Sequence, residues 1–356
     1  MSIHNLFKGF EVELFTGSQN SHVGVSDIIA KSFPDFVQEP DNRNVEYITT
    51  PEKDYKVLYQ KLLAPRRDLR KWLKKRDLTI IPSSTLCFTH NSQFQRSDIN
   101  NVYHQYIQEQ YGISIATSSV HINIGIDDLE KLFSAVRLIR CEASLYLSLS
   151  ASSPFLNNKI TSNHSQRWIQ FPKTPNKVPF FINHENYIKW IDENIANGTM
   201  QNVRHFWSSI RPNGPKRPLI LDRLELRICD FVSDIDLLLG ITALLELRIL
   251  FLFENIEKID PLTSSIFSMD QLSEICDKNE IEASRNSLNA ELINWKDGKK
   301  VICREWIKNL LEEVSFTADK LNMKHLLRPI YRVLKEGNQS MQWIQKFEYG
   351  SSIEEI

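Results

Sequence analysis

Four short segments alternate polar side chains that could do chemistry with apolar ones. Glu11 and Glu13 lie in Gly9-Phe10-Glu11-Val12-Glu13-Leu14, and Glu46 lies between Val45 and Tyr47. His121, Asn123 and Gly125 alternate with Val120, Ile122, Ile124 and Ile126, and Glu225 and Arg227 alternate with Leu224, Leu226 and Ile228. On a β-strand, alternate residues share a face about 7 Å apart. The apolar members of each segment therefore face one way and the polar members the other. Taken singly, each is an ordinary half-buried antiparallel strand with a wet face. Taken together they supply four glutamates, a histidine, an asparagine and an arginine in place of the usual Ser, Thr and Lys. Four converging carboxylates repel one another unless cations sit among them. Mg²⁺ or Mn²⁺, hard cations with oxygen ligands, are the natural occupants, and Mg²⁺ usually bridges a few carboxylates to substrate phosphates. A nucleotide is then implied without a phosphate loop: the chain has 11 glycines, no Gly-x-x-x-x-Gly-Lys and no Gly-x-Gly-x-x-Gly.

The run Asn202–Arg217 is basic and aromatic and directly precedes the Glu225 strand. Beside a metal-lined face, Arg204 and Arg211 would neutralise phosphates or a substrate carboxylate, arginine by its bidentate fork. A solvated loop is the plainer reading.

These side chains must be carried by an α+β architecture. Period-two alternation marks strands at Phe10–Phe15, Val45–Thr49, Ser119–Ile126 and Leu224–Ile228. Period-3.6 patterns predict helices over Glu52–Arg76 (interrupted at Pro65), Asp128–Leu149, Glu185–Ala196, Ile235–Glu254, Asn279–Trp295, Arg304–Leu321 and Lys324–Lys335, with Gly337 as a helix C-cap. One catalytic domain over 1–356 is expected, its sheet-bearing part at 9–230 and a mainly helical part at about 235–349.

The composition excludes several classes of function. Forty-three Lys+Arg against 44 Asp+Glu leave a net charge of -1, without the basic footprint of nucleic-acid binders. Ile235–Phe253 is the most apolar stretch but contains Asp236, Glu246 and Arg248, so it reads as a buried helix and no membrane partner is expected. Seven basic residues between Arg66 and Arg76 flank Leu69, Trp72 and Leu73 and read as the wet side of a packed helix. Five scattered cysteines without Cys-x-x-Cys, and a start without an apolar leader, point to reduced thiols and a cytoplasmic location. No motif sets an oligomeric state.

The segments Gly9–Glu13, Glu39–Tyr47, Val120–Asp127, Leu149–Phe155, Gly198–Arg204, Arg211–Gly214 and Arg223–Asp230 resemble, in order and in phase, the glutamate–cysteine ligases of the carboxylate-amine ligase group, most closely the cyanobacterial type. The resemblance runs from about Gly9 to Trp343. It implies a glutamine-synthetase-like fold, a curved, mainly antiparallel sheet with helices on its back and a helical C-terminal third. It also implies ATP-dependent joining of the L-glutamate γ-carboxylate to the L-cysteine amine, with Mg²⁺ or Mn²⁺. Mapped by motif, Glu11, Glu13, Glu46, His121 and Glu225 would be metal ligands, and Arg227 would lie on the transferring phosphate. Ser150–Phe155 and Asn202–Gly214 are candidate walls, although the serines also suit a helix end stopped by Pro154. Arg167 and Trp168 are candidates for substrate contact or a surface stacking pair, and Asn123 is a further substrate-binding candidate. A ligase with another amine acceptor, or a non-catalytic anion-binding protein, are the alternatives.

Overall fold

The computed structural model describes residues 5–88 and 93–356. Its strands are β1 (Lys8–Gly17), β2 (Phe36–Gln38), β3 (Asn44–Ile48), β4 (Thr79–Ile81), β5 (Val120–Gly125), β6 (Phe155–Leu156), β7 (Lys159–Ile160), β8 (Ile210–Asn213), β9 (Arg223–Leu226), β10 (Glu291–Ile293) and β11 (Lys300–Ile302). Seven of them form one antiparallel sheet in the order β2-β3-β1-β5-β9-β8, with β4 paired to the end of β1. The pairs β6-β7 and β10-β11 stand apart from it.

The alternation read from the sequence sorts the two faces of this sheet. Phe10, Val12, Leu14, Val45, Tyr47, Val120, Ile122, Ile124, Leu224 and Leu226 are all buried in one core. Against that core pack the helices Tyr55–Lys74, Leu129–Ser150 and Ile235–Glu254, the last two buried over most of their length. Among the described residues no helix is long and apolar enough to cross a membrane. The mainly antiparallel sheet with helices on its back is thus the expected arrangement.

Several elements depart from expectation. The Tyr55–Lys74 helix runs straight through Pro65. Burial of Leu58, Leu62, Leu69 and Leu73 on one side outweighs the loss of an amide donor. The Tyr47 phenol also donates to the Leu62 carbonyl (3.1 Å), close to the carbonyl that Pro65 leaves without its usual partner. Arg66 is not on the wet side of that helix: it is buried and donates to Tyr47 Oη (2.8 Å) and to the Val232 carbonyl (3.0 Å). The other basic residues of the run, Arg67 to Arg76, are exposed.

The helix expected at Asn279–Trp295 is instead Met269–Asn286. Its start is set by a capping box between Ser268 and Gln271, and its end by Ser287 at a φ of 51°. The Asn279 side chain then exchanges hydrogen bonds with the main chain of Ile293 (2.8 and 2.9 Å), which holds β10 in place. Gly337 does follow the last turn of the helix Arg328–Glu336, at a φ of 89°.

Candidate active site

Strand register decides which polar side chains meet. Glu13 faces Glu46 across β1-β3, Glu11 faces His121 across β1-β5, and Glu225 on β9 faces both Asn123 on β5 and Arg211 on β8. These side chains lie on the face of the sheet opposite the core. A cavity of about 470 Å³ opens over them, lined from the sheet by Glu11, Glu13, Glu46, His121, Arg211 and Arg227.

The helix Val102–Tyr111 and the segment from Val203 to Arg217 close it from the other side. Tyr103, His104 and Ile107 of that helix are lining residues which the sequence reading did not single out. The only local signal for the helix was Asn101, whose side chain caps it by accepting from the amides of Tyr103 and His104. Of the two expected walls, Asn202–Gly214 supplies Val203, Arg204, Trp207, Arg211, Asn213 and Gly214, whereas Ser150–Phe155 supplies no lining residue. Ser150 ends the helix Leu129–Ser150, its hydroxyl donating to the Tyr146 carbonyl.

Glu39 was also missed. It follows β2, whose Val37 faces Glu46, and it lines the same cavity. Two groups of donor atoms lie within 4.8 Å of one another, Glu11/Glu46/His121 and Glu13/Glu39/Glu46, so Glu46 is common to both. Burial raises the carboxyl of Glu39 to about 8, reinforced by the charges of Glu13 and Glu11. Glu46 is pushed well up for the same reasons, burial first and then the neighbouring Glu39, Glu11 and Glu13. Glu11 is half-buried, and desolvation and Glu225 push it up, yet its hydrogen bond to His121 (3.1 Å) and the charges of His121 and Arg227 hold it below its usual range. Asn123 donates to the second oxygen of Glu11 (3.1 Å), and Ser119 donates to Glu13 (2.7 Å).

Glu225 differs from the other four glutamates. It is fully buried and does not line the cavity, and each of its oxygens is taken by cations or an amide. Arg211 donates bidentately (2.6 and 3.1 Å), Asn213 adds 2.7 Å, and Arg227 adds 2.5 Å. Burial opposes its ionisation, but Arg211 and Arg227 hold the carboxyl well below its usual range. His121 Nδ1 lies 3.6 Å from it. Arg211 gives its remaining contact to the Phe206 carbonyl, so its fork orients Glu225. Arg204 stands exposed at the rim, its guanidinium 5.6 Å from the Tyr103 ring centroid.

Arg167 and Trp168 are not a surface pair. They are 1% and 2% exposed, lie outside the cavity lining, and pack with Phe171. A second cavity of about 430 Å³ is also lined by Glu11, with Phe7, Ile48, Pro51 and Gly125 as its apolar lining and Asn123, Asp127 and Arg223 as polar lining. The space left by the missing side chain of Gly125 is taken by Phe7, whose Cβ lies 3.3 Å from where a Cβ would stand.

The model of glutamate-cysteine ligase family 2 matches residues 7–356. The chain belongs to this family. Among its relatives, a Sorangium cellulosum protein provisionally named glutamate–cysteine ligase 2 is 23% identical over 299 residues, covering 81% of this chain and 75% of that protein. A similarly named Gloeobacter violaceus protein is 30% identical over 224 residues, covering 62% of this chain and 56% of that protein. The likeness to solved structures shows the fold. A bifunctional glutathione synthetase from Pasteurella multocida superposes with a TM-score of 0.76 at 13% identity, over 99% of this chain and 51% of that one. A Francisella tularensis glutamate–cysteine ligase in complex with AMP gives 0.74 at 16% identity, over 99% and 86%.

Proposed function

We propose that this glutamate-cysteine ligase family 2 member joins the γ-carboxylate of L-glutamate to the amine of L-cysteine at the expense of ATP, yielding γ-glutamylcysteine, ADP and phosphate in the cytoplasm, as the first step of glutathione biosynthesis. The observation that carries this reading is the register-driven convergence of Glu11, Glu13, Glu39, Glu46 and His121 on one cavity that also holds Arg227.

The donor set fits Mg²⁺ or Mn²⁺: carboxylate oxygens predominate, one imidazole joins them, and burial, reinforced by repulsion among the carboxylates, raises the carboxyls of Glu39 and Glu46. Glu11, Glu46 and His121 would hold one ion, and Glu13, Glu39 and Glu46 a second, with Glu225 behind them fixing Arg227 and, at longer range, His121. Such ions, when bound, supply positive charge against the phosphates of ATP.

The rest of the chemistry falls to the protein's own groups. A carboxylate is a poor acyl donor, so the γ-carboxylate is activated as an acyl phosphate before the neutral amine attacks. Arg227 lines the cavity with a buried Nε that has no partner, and it would meet the phosphoryl oxygens as charge develops there. Tyr103 Oη, His104 Nδ1 and Arg217 Nε are likewise buried and unpartnered on lining residues, a supply of polar groups suited to amino-acid substrates. Arg204, Lys216 and Arg217 place cations at the same wall. The second cavity, apolar on one side and sharing Glu11 with the first, is of the kind that receives a nucleoside base. Asn123 lines it and tethers Glu11.

The test is ADP release with ATP, Mg²⁺ and amino-acid mixtures. Glutamate plus cysteine is expected to give γ-glutamylcysteine and ADP in equal amounts. AMP with pyrophosphate would defeat the acyl-phosphate route, and turnover with another amine in place of cysteine would reassign the acceptor.

A further inference from the structure

The exit of β9 from the sheet is irregular. Leu226 faces Ile122 of β5, but Asp230, four residues on, faces Ser119, only three residues back. One extra residue has been accommodated. On the other side, the amides of Arg227 (2.8 Å) and Ile228 (3.1 Å) both donate to the single carbonyl of Ser209. Two residues set against one make a β-bulge, which re-aims a side chain and leaves ladder groups without partners.

The carbonyls of Arg227 and Ile228 are the groups left over here, and one side chain meets both. Arg167 donates from Nη2 to the Arg227 carbonyl (3.1 Å) and from Nη1 to the Ile228 carbonyl (3.0 Å). Its guanidinium is kept charged at depth by Asp230, 3.9 Å away. Asp230 is itself anchored by the Ser152 amide (2.9 Å) and the hydroxyls of Ser153 (2.7 Å) and Ser165 (2.8 Å). The serines first read as a cavity wall or a helix end thus serve a buried carboxylate behind the site.

We propose that Arg167 is a positioning residue for Arg227, acting through the main chain. By satisfying both carbonyls of the bulge it holds the peptide that carries Arg227, and so sets where the Arg227 guanidinium stands against Glu225 and the cavity. The proposal rests on the ligase reading in that Arg227 is taken to act on the transferring phosphate. A residue that bound substrate directly would line the cavity, and Arg167 does not. Both of its donor arms are instead spent on the two successive peptides that leave Arg227, at the bulge that aims that side chain.

A double-mutant cycle decides between these roles. Arg167→Met removes both donors at similar bulk and is expected to lower kcat at least tenfold, while KM for ATP and for each amino acid stays within about twofold. In an Arg227→Lys background the same change should lower kcat less than about threefold, because the group it positions is already compromised. Arg167→Lys, which can serve one carbonyl at a time, should fall between wild type and Arg167→Met, and it supplies the cycle if the methionine variant does not fold. Multiplicative losses, or a raised amino-acid KM with kcat preserved, would overturn the proposal. Wild-type turnover is measured first, and its absence would sink the ligase reading alone. The crystal structure of Arg167→Lys then judges the positioning role: a displaced Arg227 guanidinium supports it, and an unmoved one refutes it.

Discussion

Glu13 on β1 and Glu46 on β3 stand directly opposite each other in the sheet register, two carboxylates at a position where a sheet normally sets opposite charges or an apolar pair. Like charges so placed are destabilising without a cation. Glu46→Gln should therefore move stability and activity in opposite directions. In chelator-treated protein its melting temperature should equal or exceed that of wild type. With Mg²⁺ and ATP, kcat/KM should drop at least about a hundredfold, roughly 2.7 kcal/mol of transition-state stabilisation. Thermal scans with and without chelator, alongside steady-state kinetics, measure both, and unchanged kinetics would remove Glu46 from the site.

Glu11 and Glu225 share a chemical type but not an environment. Glu11 faces the cavity, whereas Glu225 is fully buried between Arg211 and Arg227. Removing one partner of a buried, hydrogen-bonded ion pair costs about 3–5 kcal/mol, because the other charge is left stranded. Glu225→Gln should lower stability by about that amount, read from denaturant unfolding, whereas Glu11→Gln should stay within about 1 kcal/mol while losing activity. Equal stabilities for the two variants would contradict the ion-paired placement of Glu225.

Arg227→Lys retains the charge but loses the fork that reaches both Glu225 and the cavity. The expected result is a fall in kcat much larger than the change in nucleotide affinity, with affinity measured by calorimetry on the non-turnover complex. A parallel loss of both would assign Arg227 to binding alone.

His22, which does not line the carboxylate cavity, gives the protein a separate acid-sensitive point. It is buried against Phe15, Phe88 and Cys87, and burial, with Arg43 nearby, depresses its imidazole to about 3. The depressed pKa favours the neutral form in the folded state, so the unfolded chain binds the extra proton below pH 6.5, its ordinary value. The stabilisation is complete above that pH and is lost as pH falls toward about 3, with a slope of up to about 1.4 kcal/mol per pH unit. His22→Gln should flatten this part of the stability–pH curve relative to wild type. Parallel curves would show that His22 takes up its proton in the folded state.

All five cysteines are buried and free, and burial raises the thiols of Cys87, Cys229 and Cys303 to about 12. Thiolate reagents should label the native protein slowly and the denatured protein fully. Activity should be the same with and without reductant when the cysteine substrate is kept reduced. Reversible oxidative inactivation, with a new bridge seen by mass spectrometry, would contradict this.

Alternation along a strand follows from backbone stereochemistry, so the sharing of a face by Glu11 and Glu13, or by Glu225 and Arg227, was legible from the residues alone. The core partners of those residues were legible for the same reason, as was the buried helix Ile235–Glu254, whose apolar character goes all the way round. What lies opposite a strand residue is a matter of register, which depends on strands remote in sequence, as with Glu11 and His121. Only the assembled sheet could set Glu13 against Glu46 and Glu11 against His121. Glu39, beyond the end of β2, and Tyr103, on a short and weakly patterned helix, have no periodicity that marks them as site residues. Arg167 was visible as a candidate, but a guanidinium serves a substrate carboxylate and a pair of main-chain carbonyls with the same donors. The choice between them was made by a bulge that exists only once β9 lies between β5 and β8. Residue type and spacing thus determined the chemistry available on each face, and tertiary structure decided which groups meet, because their partners come from segments remote along the chain.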